Sequence, residues 1–225
     1  MFAPPIIWKK STRARRVILR VDIQQNALIV TIPPHITHQQ AIAFVQTQSQ
    51  WIHEAFNELP PSALKQGSIP IEGRSYPIHI EEQPSSRRIW LDGEGLHITK
   101  TSSDNCEKRL KIFLRHLAAE RIPTFVEHHA KHMGITPTRL TLRDVKSRWG
   151  SCTRQGHVML SWRLILAPPS VCHYVIVHEL SHLLHFNHSA NFWACVDKWY
   201  PEGRKGRLNA EKWLHHYGIT LLRMI

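Results

Sequence analysis

The chain has 225 residues, 42% of them apolar, enough to bury one good core or two small ones. It shows neither an apolar run of membrane-spanning length (about 18 residues) nor a hydrophobic signal segment at its start, so a soluble, cytoplasmic protein with no membrane partner is expected. A net charge of +12 and a pI near 10.0 favour polyanionic partners, nucleic acid among them, and the 4 cysteines, widely spaced and without a CxxC pair, suit a reducing compartment.

Basic residues gather at the start, in Lys9, Lys10, Arg13, Arg15, Arg16 and Arg20, where they read either as a polyanion patch or as a solvated strand edge kept from aggregating by charge. Residues 17–23 and 27–32 read as strands about a Gln24-Gln25-Asn26 turn, closed by Pro33-Pro34. A helix is predicted over 38–59, ended by Pro60-Pro61-Ser62. Hairpins are predicted about Glu72-Gly73-Arg74 and Asp92-Gly93-Glu94-Gly95. The polar stretch 101–105 is a candidate boundary, dividing a strand-rich region, 1–102, from a catalytic domain, 103–225. Beyond it, 107–133 has a helical pattern broken or kinked at Pro123.

Residues 140–145 and 157–162 alternate like strands, with Lys146-Ser147-Arg148-Trp149-Gly150-Ser151-Cys152 as the loop between them. Such a sheet could bind an extended peptide on a free edge, or serve only as scaffolding. Pro168-Pro169-Ser170 starts a helix over 171–186 that is apolar nearly all round and therefore belongs inside the domain. Cys172 on it, like Cys195 further on, reads as a small core residue. Ser189 is the expected N-cap of a second helix, 190–199, closed by Tyr200-Pro201.

The predicted buried helix carries His178-Glu179-Leu180-Ser181-His182, with His188 six residues on. Positions four apart lie on one helical face, so His178 and His182 can grip one cation, while Glu179 points aside and is placed to take a proton from water in an open fourth position. With 17 histidines in the chain, HExxH alone arises by chance in roughly one such chain in fifteen, and with the added histidine in about one in two hundred. His185 lies on the same stripe, but three ligands along one straight helix are too nearly collinear for a tetrahedral ion. His188 is the preferred third ligand, brought back by Phe186-Asn187, with His185, Asp197 and Glu202 as alternatives.

These pieces resemble the YgjP-like metallopeptidase-domain family, zincins related to the WLM and SprT-like proteins. The resemblance is carried by residues 146–152, Trp162 to Pro168, Val177 to His182, Asn187-His188-Ser189 and Phe192-Trp193. It implies an α+β, zincin-like fold of minimal gluzincin type, with an HExxH helix and a small sheet. Zn2+ would be held by His178, His182 and His188, with Glu179 as catalytic base. Ser181 stands where the family often has Ala, and Ser161 where Asn is expected.

Three functions follow as expectations. The first is a zinc-dependent metallopeptidase, in which Arg148 is a candidate donor to the developing oxyanion and Lys146, Trp149 and Arg154 are candidate substrate contacts. Lys146 and Arg148 could equally serve structural ion pairs, and Trp149 and Trp193 could be core or pocket wall. The second is a metal-dependent nucleoside triphosphate pyrophosphohydrolase, resembling a UTP pyrophosphatase, since the same basic residues suit a small phosphorylated substrate. The third is a nucleic-acid-associated protein with a zinc site.

Overall fold

The structure is a computed structural model and describes residues 4–23, 25–82, 88–100 and 105–225. The chain forms two compact units, Met1–Pro61 and Ser62–Ile225.

In the first unit, β1 (Ile6–Lys10), β2 (Ile18–Asp22) and β3 (Ala27–Ile32) form a sheet in the order β1-β3-β2, with β1 parallel and β2 antiparallel to β3. Leu28, Val30 and Ile32 of the central strand bury one face against Ala41, Val45, Ile52 and Phe56. The helix predicted over 38–59 is two helices, α1 (His38–Thr47) and α2 (Ser49–Asn57), parted at Gln48. A capping box with Thr37 and Gln40 starts α1. At its end the Thr47 hydroxyl donates to the Phe44 carbonyl, competing with the helical ladder, and the Gln48 N–H closes a tight turn on Val45. Of the expected Gln24-Gln25-Asn26 turn, Gln24 lies outside the described residues, and Asn26 takes φ 49°.

The second unit holds α3 (Ala63–Gln66) and a four-stranded sheet of β4 (Ser68–Ile71), β5 (Arg74–Glu82), β6 (Ile89–Leu91) and β7 (Leu96–Lys100), in the order β4-β5-β7-β6. Both predicted hairpins form. Glu72 and Gly73 turn between β4 and β5 with φ of 49° and 80°, and Asp92 Oδ1 accepts from the Glu94 and Gly95 N–H groups between β6 and β7. This sheet buries Ile69, Ile71, Leu96 and Ile98 in one core with Leu110, Leu114 and Ile122 of α4 (Cys106–Met133). Residues 101–104, where a domain boundary is expected, lie outside the described residues, and it is at Pro61 that the compact units divide. Helix α4 runs through Pro123 unbroken.

The two strands expected after α4 are β8 (Arg139–Arg143) and β10 (His157–Ser161), but they pair in parallel. What reads as loop between them supplies a third strand, β9 (Gly150–Cys152), antiparallel to β10, so the order is β8-β10-β9. A parallel pair needs a crossover, and β9 belongs to it. A 3-10 turn, Trp162–Leu166, capped by the Ser161 hydroxyl, leads to α5 (Pro169–Ser181), α6 (Ala190–Trp199) and α7 (Gly203–Arg223).

Helix α7 has no counterpart in the sequence reading. Its end is pinned by the fully buried Arg163, whose guanidinium donates to the Leu221 and Ile225 carbonyls at 3.0 and 2.7 Å and to Asp144 Oδ1 at 2.9 Å. The guanidinium thus satisfies carbonyls that a helix C-terminus leaves unpaired, and its own charge is paired. Among the described residues, no helix is long and apolar enough to cross a membrane.

Candidate metal centre

Helix α5 begins at Pro169, where a missing N–H costs nothing, and buries Val171, Cys172, Val175, Ile176, Val177 and Leu180. It ends at Ser181, five residues before the predicted Phe186. The chain there tightens into i→i+3 bonds, His182 N–H to Glu179, Leu183 to Leu180 and Leu184 to Ser181, with His185 N–H also on the Ser181 carbonyl, so the helix does not run on regularly to Phe186. His185 instead offers its backbone carbonyl, which accepts from His182 Nδ1 at 3.2 Å. Residues 183–188 return over the helix, and Ser189 caps α6 by accepting from the Phe192 N–H.

His178, His182 and His188 offer ligand nitrogens that all lie within 4.8 Å of one another, and the Nε2 atoms of His178 and His188 are 3.2 Å apart. Two nitrogens bound to one tetrahedral ion at zinc–nitrogen distances sit about 3.3 Å apart. The hydrogen bonds behind the rings suit such an ion. Tyr174 OH donates to Glu211 Oε1 at 2.9 Å and so accepts from His178 Nδ1 at 3.3 Å, while His182 Nδ1 is spent on the His185 carbonyl. Both rings are left with an Nε2 lone pair turned to the cluster, as ligation requires. Burial, then His182 and His188, push His178 down to about 3, and burial lowers His182 too, so both are neutral at pH 7 and able to ligate.

Glu179 is buried beside this cluster. Burial pushes its carboxyl up to about 7, against the pull of Arg148. Strand β9 lies directly on it. A Cβ at Gly150 would fall 2.5 Å from Glu179 Cγ and Oε1, so only glycine fits there. The neighbouring Cys152 is pushed up to about 11 by burial and by Glu179 and stays a thiol at neutral pH.

The alternatives for third ligand lie elsewhere. Asp197 pairs with Arg207 (Oδ1 to Nε, 2.5 Å), and Glu202 stands at the start of α7. Arg207 also donates to Glu211 at 3.0 Å and covers the Trp193 ring at 4.5 Å, and Trp193 stacks on His188, 22° from parallel. Helix α7 thus reaches two rings of the cluster, His178 through Glu211 and Tyr174, and His188 through Arg207 and Trp193. The sequence reading lacks Tyr174, Arg207 and Glu211 altogether; the acid that Tyr174 meets lies 37 residues away.

Of the other expected site residues, Arg148 is exposed and acts on Glu179, and Arg154 lies over the Phe186 ring at 5.6 Å on the turn after β9. Lys146 is exposed. Trp149 packs against the core and on α7, its Cζ2 3.1 Å from where a Cβ of Gly218 would lie, which is a wall position. Ser181 donates to the Val177 carbonyl at 2.7 Å and keeps clear of the histidines.

A helix with two imidazoles one turn apart, a third returned from the following loop and a carboxylate between sheet and cluster defines the class of metal-dependent peptidases. The chain belongs to the family described as YgjP-like, metallopeptidase domain, whose model matches residues 15–217. It has the α+β, zincin-like fold that the family implies. No curated protein matches the chain. Among solved structures, the metallopeptidase zymogen of Pyrococcus abyssi abylysin is 21% identical, over 43% of this chain and 95% of its own, with a TM-score of 0.38. The zymogen of Methanocaldococcus jannaschii jannalysin is 17% identical, over 42% and 94%, with the same TM-score of 0.38.

Proposed function

We propose that the protein is a zinc-dependent metallopeptidase in which His178, His182 and His188 hold the ion and Glu179 is the catalytic base. The observation that carries this reading is the convergence of three imidazoles, two with their lone pairs fixed inward by Tyr174 and the His185 carbonyl, beside a buried carboxylate. An all-nitrogen set of three suits zinc, which when bound would supply a Lewis acid and bring the pKa of water near neutrality. Glu179, raised toward neutrality, takes the proton of the attacking water and returns it to the leaving amine. Arg148, close enough to act on Glu179, is suited to the negative charge that develops on the carbonyl oxygen.

Metal analysis of the purified protein, followed by casein digestion beside pyrophosphate release from nucleoside triphosphates, tests the proposal. About one zinc per chain and peptide cleavage that disappears in Glu179→Gln are expected. Pyrophosphate release with no peptide cleavage would replace it with the nucleotide-hydrolase reading.

A further inference from the structure

The solvent face of the β8-β10-β9 sheet gathers positive charge. Register places His157 beside Arg139, Met159 beside Thr141 and Ser161 beside Arg143, with Ser151 of β9 beside Met159 on the other flank. Side chains alternate across a sheet, so Arg139, Thr141, Arg143, His157, Met159 and Ser151 share one face, while Leu140, Leu142 and Leu160 turn to the core. Together with Arg148 they line an open groove of about 330 Å3, and no Asp or Glu lines it.

The buried guanidiniums of this unit are answered by carboxylates, whereas those of this face are exposed. Arg163 meets Asp144, and Arg207 meets Asp197 and Glu211. Arg139 and Arg143 are exposed, with no ion pair to a carboxylate among the described residues, and an imidazole sits directly across from the first of them. An anion laid on this face would meet guanidiniums that are free to turn to it. The groove lies across the sheet from the candidate centre, on the outer face of the same strands. Arg148 acts on the Glu179 carboxyl, and β9, the edge of this sheet, passes directly over that residue.

We propose that this face is a subsite for an acidic stretch of a peptide substrate, with Arg139, Arg143, Arg148 and His157 taking its carboxylates. The proposal rests on the peptidase reading and names the substrate class for that site. Three strands span about 10 Å and four residues of β8 about 13 Å, so the charges are laid out over several residues of an extended chain and do not converge on one phosphate cluster. The lining holds no Phe, Tyr or Trp on which a nucleobase could stack, which argues against a nucleotide or a single-stranded nucleic acid. Val145 and Met159 give the groove an apolar floor for the peptide's intervening residues.

The test uses the zinc-loaded protein and three quenched-fluorescent peptides of one sequence, bearing three aspartates, three asparagines or three lysines on one side of the cleavage site, with a second set carrying them on the other. The aspartate peptide should be preferred over the asparagine peptide by roughly tenfold in kcat/KM, through KM. Arg139→Glu with Arg143→Glu should raise KM for the aspartate peptide by a similar factor, with kcat and bound zinc retained, and turn the preference toward the lysine peptide. Equal KM values for the three peptides, or a preference that survives the double reversal, overturns the subsite.

Should no peptide be cleaved, anisotropy of the labelled aspartate peptide on Glu179→Gln separates the two readings. Binding that the double reversal abolishes upholds the subsite and sinks the peptidase reading. Absence of binding sinks the subsite. Displacement of the bound peptide by pyrophosphate or a twenty-nucleotide oligothymidylate at lower concentration than by unlabelled peptide overturns it in favour of a phosphate ligand.

Discussion

Helix α5 carries two histidine clusters with opposite outcomes. Around His178, three rings converge and two of them turn Nε2 inward because Nδ1 is occupied behind them. Around His173, five residues earlier, His129 Nε2 meets His173 Nδ1 at 2.6 Å, and His128 packs edge-on to His129 and tilted against His132 at the same end of α4. That bond consumes a lone pair and a proton within the pair, and among the described residues only the first cluster brings three ligand atoms of this kind together. Seventeen histidines therefore say little by themselves. A metal site needs rings whose far nitrogens are held by something other than one another.

The sharpest way to divide the two clusters is chemical. Glu179→Gln should lower turnover by about 10²–10⁴-fold while bound zinc, measured by atomic absorption, stays near that of the wild type, because it removes a base and no ligand. Loss of the metal along with activity would instead make Glu179 a ligand. Next in size, His188→Ala should weaken zinc binding by more than about a hundredfold in competition with a chromogenic chelator, whereas His185→Ala and His173→Ala should scarcely change it. Equal losses for His188 and His185 would return the imidazole of His185 to the metal.

How far this division is legible in the sequence depends on the range of each interaction. His178, Glu179 and His182 stand out because one turn of helix fixes their relation, and His188 because a short return suffices. The end of α5 is not legible: Leu183 and Leu184 prolong the apolar pattern, no Gly or Pro intervenes before Phe186, and the stop is made by backbone bonds alone. Strand β9 is three residues long and takes its identity from β10. Helix α7 is largely polar, broken in pattern by Gly206 and Gly218, and is held by Arg163, far off in sequence. The partners that aim the histidines thus belong to the part of the fold that local patterns reveal least.

Those partners supply a smaller effect of their own. Tyr174→Phe removes the acceptor of His178 Nδ1 while keeping the ring packed, and Glu211→Gln removes the charge that orients the tyrosine. Each should lower zinc affinity by about 10–100-fold, the usual consequence of losing a partner behind a ligating histidine, with the fold intact by circular dichroism. If cobalt is substituted for zinc, the visible band should shift in Tyr174→Phe and stay put in His129→Gln. An unchanged band and unchanged affinity in both would mean that His178 needs no orienting partner.

The second cluster has a measurable signature too, in stability. Burial first, then the positive fields of His173, His128 and His132 when they protonate, push His129 down to about 4 from its ordinary 6.5. The folded chain therefore binds fewer protons at this site than the unfolded chain does between those two values, so acid favours unfolding. Stability is fully present above about 6.5 and is lost as pH falls toward 4. Glu72, whose charge raises His173, works against part of this, since it favours a proton on the other ring of the pair. His129→Gln keeps a hydrogen-bond partner for His173 and cannot titrate. The drop in urea midpoint of the zinc-free protein between pH 7 and pH 4 should accordingly be shallower in that variant, by on the order of 1–3 kcal/mol in unfolding free energy, and zinc binding at pH 7 should match the wild type. An equal drop in both proteins would place the acid sensitivity of this unit in the first cluster alone.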